Sequence, residues 1–525
     1  MTRTPDPVPS ARALTRRRLL AEAGAVAVAV GALPAWSRAS ARRRDRTAAA
    51  LRRLAALVRG PVVTASDPAG LAVAAQLYNS RFDGAQPLAV VYALDERDVQ
   101  ATVRWSARTG VRIAARSGGH SYGGYSNPTG GVLLDVTGIR GTRARPRDRR
   151  AAIGAGSELS EVYTALAGVA QTIPAGTCPT VGMAGLALGG GVGFVGRRWG
   201  TTSDNVLALR IVTADGRART IDRRRDEDLY WACRGGGGGN FGVVTAFLMR
   251  TFPTDPASTF VLTYNWSQVV DVVQAWQAWA PEAPDDLFSI CSIQTGTTVP
   301  SLRVSGQIFG PESAIPAAIA PLTSEVAPVS MTMGTKNYAQ AISFWAQCTQ
   351  YAAAQCARQE ENPDGDVPRR NFWGKSQYVD RPVPAAAGAV IRDFIDRRQA
   401  DSALGLGEIL LDSYGGALNR PAPDATAFVH RDNLFSMQFV VYWNDPSGED
   451  ASVAWIRAFH RAMAPYASGL AYQNYIDPDL RTWRAAYYGR NYPRLLDVKR
   501  RYDPDRVFRF AQGVGTPRRP QSNAA

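Results

Sequence analysis

The chain's 525 residues exceed what one hydrophobic core ordinarily organises, so two or three domains are expected. With 45% hydrophobic and 20% charged residues it is composed like a globular protein, not a disordered or fibrous one. The formal charge of +15 would suit a nucleic-acid partner, but residues 1–41 hold six arginines against Asp6 and Glu22 and account for +4 of it. The other +11 includes no long basic block interleaved with aromatics, so a solvated arginine-rich surface is expected and no nucleic-acid partner.

Residues 1–41 read as an export segment. Thr15-Arg16-Arg17-Arg18-Leu19-Leu20 precedes a mildly apolar, alanine-rich run, and Ala39-Ser40-Ala41 fits a small-residue cleavage pattern. Paired arginines ahead of such a run match a twin-arginine signal. The run is too short and too alanine-rich for a good membrane span, so cleavage near Ala41 and no stable membrane association are expected. Residues 42–60 form an arginine/alanine-rich first helix.

From Pro61 to about Pro253 short strands, helical patches and glycine-rich turns alternate. LAVVYAL (88–94) is a strand, and Asp95 caps a helix that ends at Gly110. VRIAARSGGH is strand then turn, and GVLLDV (131–136) another strand. Residues 205–221 form a hairpin about Asp215-Gly216. The mixture predicts an α+β or α/β nucleotide-type domain. From about 256 to 465 the pattern predicts a second domain with a sheet backed by helices. Its helices are 267–280 and 452–466, and its strands 301–310 and 434–443. The tail from Ala471 to Val514 is dense in aromatics.

Five cysteines are an odd set for an exported protein. Cys348 and Cys356 fall in YAQAISFWAQCTQYAAAQCARQ, which reads as one helix. Eight helical residues separate two Cα atoms by about 12 Å, too far for a disulfide. No cluster has metal-ligand spacing, so no metal is expected. His430 and His460 read as structural.

Gly374-Lys375-Ser376 ends like a P-loop, but Arg369 stands where its first glycine belongs. ALGGGVGFVG (187–196) lacks the strand-turn-helix unit of a dinucleotide fold. Three glycine loops remain, at 116–124, 176–193 and 235–242, and together they offer bare N–H groups to a large phosphorylated cofactor. His120 lies in the first loop and Cys178 in the second. From the residues alone, His120 is open to four roles: metal ligand, acid/base, covalent attachment point or turn residue.

RSGGHSYGG, GTCPTVGMAGLALGGGVGF, DLYWACRGGGGGNFGVVT, YQNYIDPDL and YYGRNYPRLLDVKRRYDPDRVF, in that order, resemble the FAD-linked oxidases of the berberine bridge enzyme type, among the vanillyl-alcohol-oxidase-like, PCMH-type flavoproteins. The resemblance implies an α+β fold: a two-part FAD-binding domain (42–255 and 466–525) interrupted by a substrate domain (256–465) with an antiparallel sheet backed by helices. It implies FAD held by two covalent bonds, from His120 and from Cys178. It carries cofactor contact to Arg116, Ser117, Gly118, Gly119, Ser121, Gly176, Val181, Gly182, Gly185, Gly190, Gly242, Val244, Asn474 and Asn491. Tyr475 matches the family's proton-abstracting tyrosine. Tyr414, in Leu411-Asp412-Ser413-Tyr414-Gly415-Gly416, lies where relatives place another active-site tyrosine or acid. Val181 matches the position governing oxygen access and goes with oxidases.

The resulting expectation is a secreted oxidase. It moves hydride from an alcohol or hemiacetal carbon of a saccharide or glycoside to flavin, and O2 then gives hydrogen peroxide. The alternatives are an oxidative cyclase acting on an aromatic metabolite and a redox-silent binding protein.

Overall fold

The computed structural model describes residues 46–349, 355–358, 365–401 and 405–517. Residues 1–41, expected to be an export segment, lie outside the described residues. Contacts divide the chain between Leu51 and Arg52; of the first unit only residues 46–51 are described, and they are helical, within helix α1 (46–55).

The second unit begins with β1 (Val62–Thr64), α2 (Pro68–Ala74), β2 (Ala89–Tyr92), α3 (Glu96–Thr109), β3 (Ile113–Arg116) and β4 (Val132–Asp135). Asp95 caps α3 by accepting from the N–H groups of Arg97 and Asp98, and Gly110 ends it at φ 69°. The four strands form a sheet in the order β1-β2-β4-β3, with β2, β4 and β3 parallel. Parallel strands are covered on both faces, which fits the full burial of Val90, Val91, Leu133 and Leu134.

The chain continues through β5 (Thr142–Arg145), β6 (Arg150–Gly154), α4 (Leu159–Ala167), β7 (Gln171–Thr172), α5 (Met183–Leu188), α6 (Gly196–Trp199), β8 (Val206–Val212), β9 (Ala218–Asp222), α7 (Glu227–Ala232), β10 (Val243–Arg250) and β11 (Phe252–Pro253). An antiparallel five-stranded sheet runs β5-β6-β10-β8-β9. The β8–β9 hairpin turns at Asp215-Gly216, with Gly216 at φ 71°.

Next come β12 (Ala257–Tyr264), α8 (Val269–Trp279), β13 (Leu287–Gln294), β14 (Ser301–Phe309), α9 (Ile315–Glu325), β15 (Ser330–Lys336), α10 (Tyr338–Trp345), β16 (Asn371–Val379), α11 (Ala385–Ala400), β17 (Gly407–Ser413), β18 (Phe435–Trp443) and α12 (Glu449–Met463). Their seven-stranded antiparallel sheet runs β15-β12-β14-β13-β17-β18-β16. Alternate strand residues point to opposite faces. Ile409, Leu411, Met437, Phe439 and Val441 join Val272, Trp276, Ile391, Ile395, Ile456 and Phe459 of α8, α11 and α12 in one core. The other face carries Glu408, Leu410 and Asp412 of β17.

The cysteines do not share the one long helix expected of them. α10 stops at Trp345, and Gln347 takes φ 56°, which a helix cannot contain. The chain turns back, Cys348 and Cys356 lie 5.9 Å apart at Cα, and they form a disulfide. Apolar periodicity registered the amphipathic run but not the reversal that the cross-link fixes.

The tail adds α13 (Trp483–Tyr488) and α14 (Tyr492–Tyr502). It is fastened by buried cations. Lys375 Nζ donates to Asp477 and Asp479 at 2.7 and 2.9 Å, and Lys499 Nζ donates to Asp503 and to the carbonyls of Asn240 and Phe508 at 2.6 Å each.

Candidate active site

The first two glycine loops touch through bare backbone. A Cβ on Gly118 would lie 2.2 Å from the nitrogen of Gly182, and one on Gly182 would lie 2.1 Å from that of Gly118. Only glycine permits that approach. It brings His120 beside the Cys178 loop, where His120 Nε2 and the Thr180 hydroxyl are 2.8 Å apart. The imidazole stacks on Tyr78 with centroids 4.1 Å apart. Burial, reinforced by the Arg358 guanidinium, holds it well below its ordinary value, so the ring is neutral near pH 7. Cys178 is a free, exposed thiol, yet surrounding protein pushes it up. A group both reachable and ringed by protein lines a hollow.

The third loop docks on the second: the N–H groups of Gly235 and Gly237 donate to the Leu188 carbonyl at 3.0 and 2.8 Å. The tail clamps it from behind, through Lys499 and through the Tyr488 hydroxyl, which donates to the Gly236 carbonyl at 3.1 Å. In the first loop, the N–H groups of Ser117, Gly118, Gly119 and His120 donate to no other described group. Gly118 and Gly119 are buried, and buried N–H groups need an acceptor.

The sheet supplies the opposite wall. Glu408 and Asp412 lie two pleats apart on one face of β17, flanked in register by Val440 and Ser436 of β18. Burial raises Glu408 to about 7, and Arg370 opposes the shift. Burial raises Asp412 to about 6, against a 3.1 Å hydrogen bond from Ser436 Oγ. Between the walls, Tyr475 stacks on Tyr122 with centroids 5.0 Å apart, and Gln438 donates to the Tyr122 hydroxyl at 2.7 Å. Burial, then Tyr122 and Asp412, drive the Tyr475 phenol well above 10, with Cys178 a weaker influence on the same group.

The remaining candidates fall into several settings. Arg116 spends its guanidinium on Asp135 and on the Gln76 carbonyl, and Ser117 Oγ donates to the Ala155 carbonyl at 2.7 Å. Ser121 Oγ accepts from the N–H of Tyr125. Gly176 and Val181 lie in the second loop; Gly185 faces open space, and a Cβ on Gly190 would meet the Phe428 ring. Gly242 packs on the Val212 carbonyl, and Val244 pairs with Ile211 in the sheet. Asn474 donates to the Leu186 carbonyl at 3.0 Å, tying the tail to α5. Asn491 donates to the carbonyls of Pro423 and Thr426, so its amide holds that loop. Tyr414 is 1% exposed, and its hydroxyl meets that of Tyr378 at 2.9 Å. It forms a layer behind Tyr475.

Sequence reasoning passed over Glu408, Tyr122, Tyr78, Thr180 and Arg358. One signal was available: in Gly407-Glu408-Ile409-Leu410-Leu411-Asp412-Ser413 the two acids share the face opposite Ile409 and Leu411. Two carboxylates on an inward strand face are costly and therefore meaningful.

A family model for an FAD binding domain matches residues 87–222, and one for berberine and berberine-like proteins matches 471–515. The aclacinomycin-N/aclacinomycin-A oxidase of Streptomyces galilaeus is 32% identical over 84% of this chain and 87% of its own. The structure of BBE-like 1 from Physcomitrella patens superposes with a TM-score of 0.81 at 29% identity, covering 89% of this chain and 99% of that one. Phl p 4, a grass pollen allergen with glucose dehydrogenase activity, superposes at 0.77 with 27% identity, covering 86% and 96%. An isoleucine-to-valine variant of that allergen is described as a glucose oxidase. These relationships, running through all three glycine loops and the tail, place the chain in the berberine bridge enzyme-like family of FAD-linked oxidoreductases.

Proposed function

We propose that the chain is an exported oxidase carrying FAD through two covalent bonds, at His120 and Cys178, and acting on an alcohol or hemiacetal carbon of a saccharide or glycoside. Residues 42–255 and 466–525 hold the cofactor, and 256–465 present the substrate. The observation that carries the reading is the joining of the His120 and Cys178 loops opposite a strand bearing two raised carboxyls. Four unspent N–H groups beside His120 fit a pyrophosphate. A neutral imidazole keeps the lone pair that bond formation needs, and Nδ1 has no hydrogen-bond partner among the described residues.

When bound, FAD supplies a two-electron acceptor that takes hydride and passes the electrons to oxygen, giving peroxide. The chain's own part is proton management. A phenol driven above 10 does not ionise unaided near neutrality. Asp412, at about 6, is mostly carboxylate there and is the acceptor to which Tyr475 Oη relays the substrate hydroxyl proton. Glu408, at about 7, divides between both forms in the same range and holds a second substrate hydroxyl. Val181 supports oxygen as the acceptor, and the paired arginines at 16–18 support twin-arginine export.

The test is anaerobic flavin bleaching by a panel of sugars and glycosides, then oxygen readmission with a peroxide assay. Bleaching by sugars with peroxide release is expected. Bleaching by aromatic metabolites alone would replace this reading with a bond-forming oxidase, and no bleaching at all with a binding protein. Acid precipitation checks attachment separately: colour leaving the pellet would refute the covalent bonds.

A further inference from the structure

The hairpin β5–β6 carries a charge pattern that the redox site does not use. Residues 142–150 read TRARPRDRR, and Arg143, Arg145, Arg147, Arg149 and Arg150 are all exposed, as is Arg250 at the end of β10. Arg145 pairs with Arg150, and Arg150 with Arg250, directly across three antiparallel strands. Cross-strand partners share a face, and Arg143, two residues from Arg145, shares it too. Strands lie about 4.8 Å apart, so three arginine side chains leave the sheet side by side at about that interval. Like charges placed directly opposite repel. None of the six forms an ion pair among the described residues, and Asp148 is the one acid within 142–150.

We propose that this arginine face docks an acidic polysaccharide, a chain repeating carboxylate or sulfate groups. The planar guanidinium grips such groups through two parallel hydrogen bonds, and the patch contains arginine and no lysine. β6 is paired on both sides, so the hairpin is no free ribbon to enter a nucleic-acid groove. No aromatic residue lies within 141–151 to stack a base. None of the exposed large apolar side chains falls on β5, β6 or β10, where one would be needed to anchor in a bilayer. β6 runs from Arg150 to Gly154, next to Ala155, whose carbonyl accepts from Ser117. At about 3.3 Å per residue the docked polymer would lie roughly 17 Å from the first glycine loop.

The test uses the flavin-loaded protein on immobilised alginate and dextran sulfate, with neutral dextran as blank. Arg145→Gln/Arg150→Gln/Arg250→Gln is compared with Arg392→Gln/Arg397→Gln/Arg461→Gln, which removes the same charge from exposed positions elsewhere. Retention that falls with salt is expected for the unaltered protein. The patch variant should lose at least tenfold in affinity and about 2 in the log–log salt slope, taking roughly 0.7 per neutralised charge, while the control variant keeps both. The patch variant should also melt no lower than the parent, because repulsion is relieved. Absence of retention, equal loss in the two variants, or tighter binding to phosphatidylglycerol vesicles or duplex DNA at the same salt would overturn the proposal.

Discussion

Asp412→Asn separates what the carboxylate does for turnover from what it costs the fold. Its carboxyl is raised from 3.8 to about 6 by burial on β17. A carboxyl raised in the folded state penalises folding only while ionised. The penalty is absent below the unfolded value near 4, grows through the interval, and is complete above about pH 6. At about 1.4 kcal/mol per tenfold, the shift corresponds to roughly 3 kcal/mol, an upper bound because the side chain is partly open to the hollow. Asparagine keeps the shape and still accepts from Ser436 but never ionises. The variant should therefore melt higher than the parent at pH 8, with the advantage gone by pH 4. Its flavin bleaching should slow by roughly a hundredfold or more, the usual worth of a placed base. In the parent, the carboxyl is about nine-tenths ionised at pH 7 and one-tenth at pH 5, so the bleaching rate should fall nearly tenfold between them. That acid limb should vanish in the variant. Stopped-flow bleaching and thermal melts across pH 4 to 8 read both effects. A variant that bleaches at the parental rate and gains no stability at pH 8 would refute the assignment.

Tyr475→Phe keeps the stack on Tyr122 but removes the oxygen proposed as the relay; bleaching should slow at least as much as in Asp412→Asn, and the double variant should be no slower than the worse single one. Gly182→Ala drives a Cβ against the backbone of Gly118 and the hydroxyl of Ser117, both at 2.1 Å, so the loops part and the flavin-to-protein absorbance ratio should collapse. His120→Ala and Cys178→Ala should each leave colour in the acid pellet, and only the double replacement should release it. Replacing Cys348 and Cys356 together by serine opens an eight-residue closure, which lowers stability by roughly 2.5 kcal/mol on the chain-entropy account and should show as an earlier melt.

Local chemistry made much of the fold legible. The Asp95 cap, the Gly110 stop, the Asp215-Gly216 turn and the alternating strands 301–310 and 434–443 all lie close to where periodicity and turn residues place them. The strand pairing across the seven-stranded sheet was not legible, because register is set by partners far away in sequence. The same limit hid the disulfide, since a helical pattern contains no record of a chain reversal. At the site, glycine density identified the loops, but the Gly118–Gly182 contact that joins them is tertiary. Glu408 and Asp412 share one face of their strand, but acids on a strand face look solvated until the opposing wall is known.

The two walls of the hollow show why the chain fastens its tail so firmly. Burial holds His120 neutral, keeps the Cys178 thiol protonated, and raises Glu408 and Asp412, so the site stores several unfavourable terms at once. Such terms persist only where the surrounding structure over-determines them. Removing one partner of a buried ion pair costs about 3–5 kcal/mol, and three such pairs sit behind the loops. Lys375 binds Asp477 beside Tyr475, Arg431 grips Asp204 with both nitrogens, and Lys499 joins Asp503 to the third glycine loop. The first holds the segment that carries Tyr475, the second a turn whose Thr202 and Ser203 N–H groups donate to the second glycine loop, and the third the third loop itself. The ion pairs thus hold the tail and the second and third glycine loops, which meet at the carbonyls of Leu186 and Leu188.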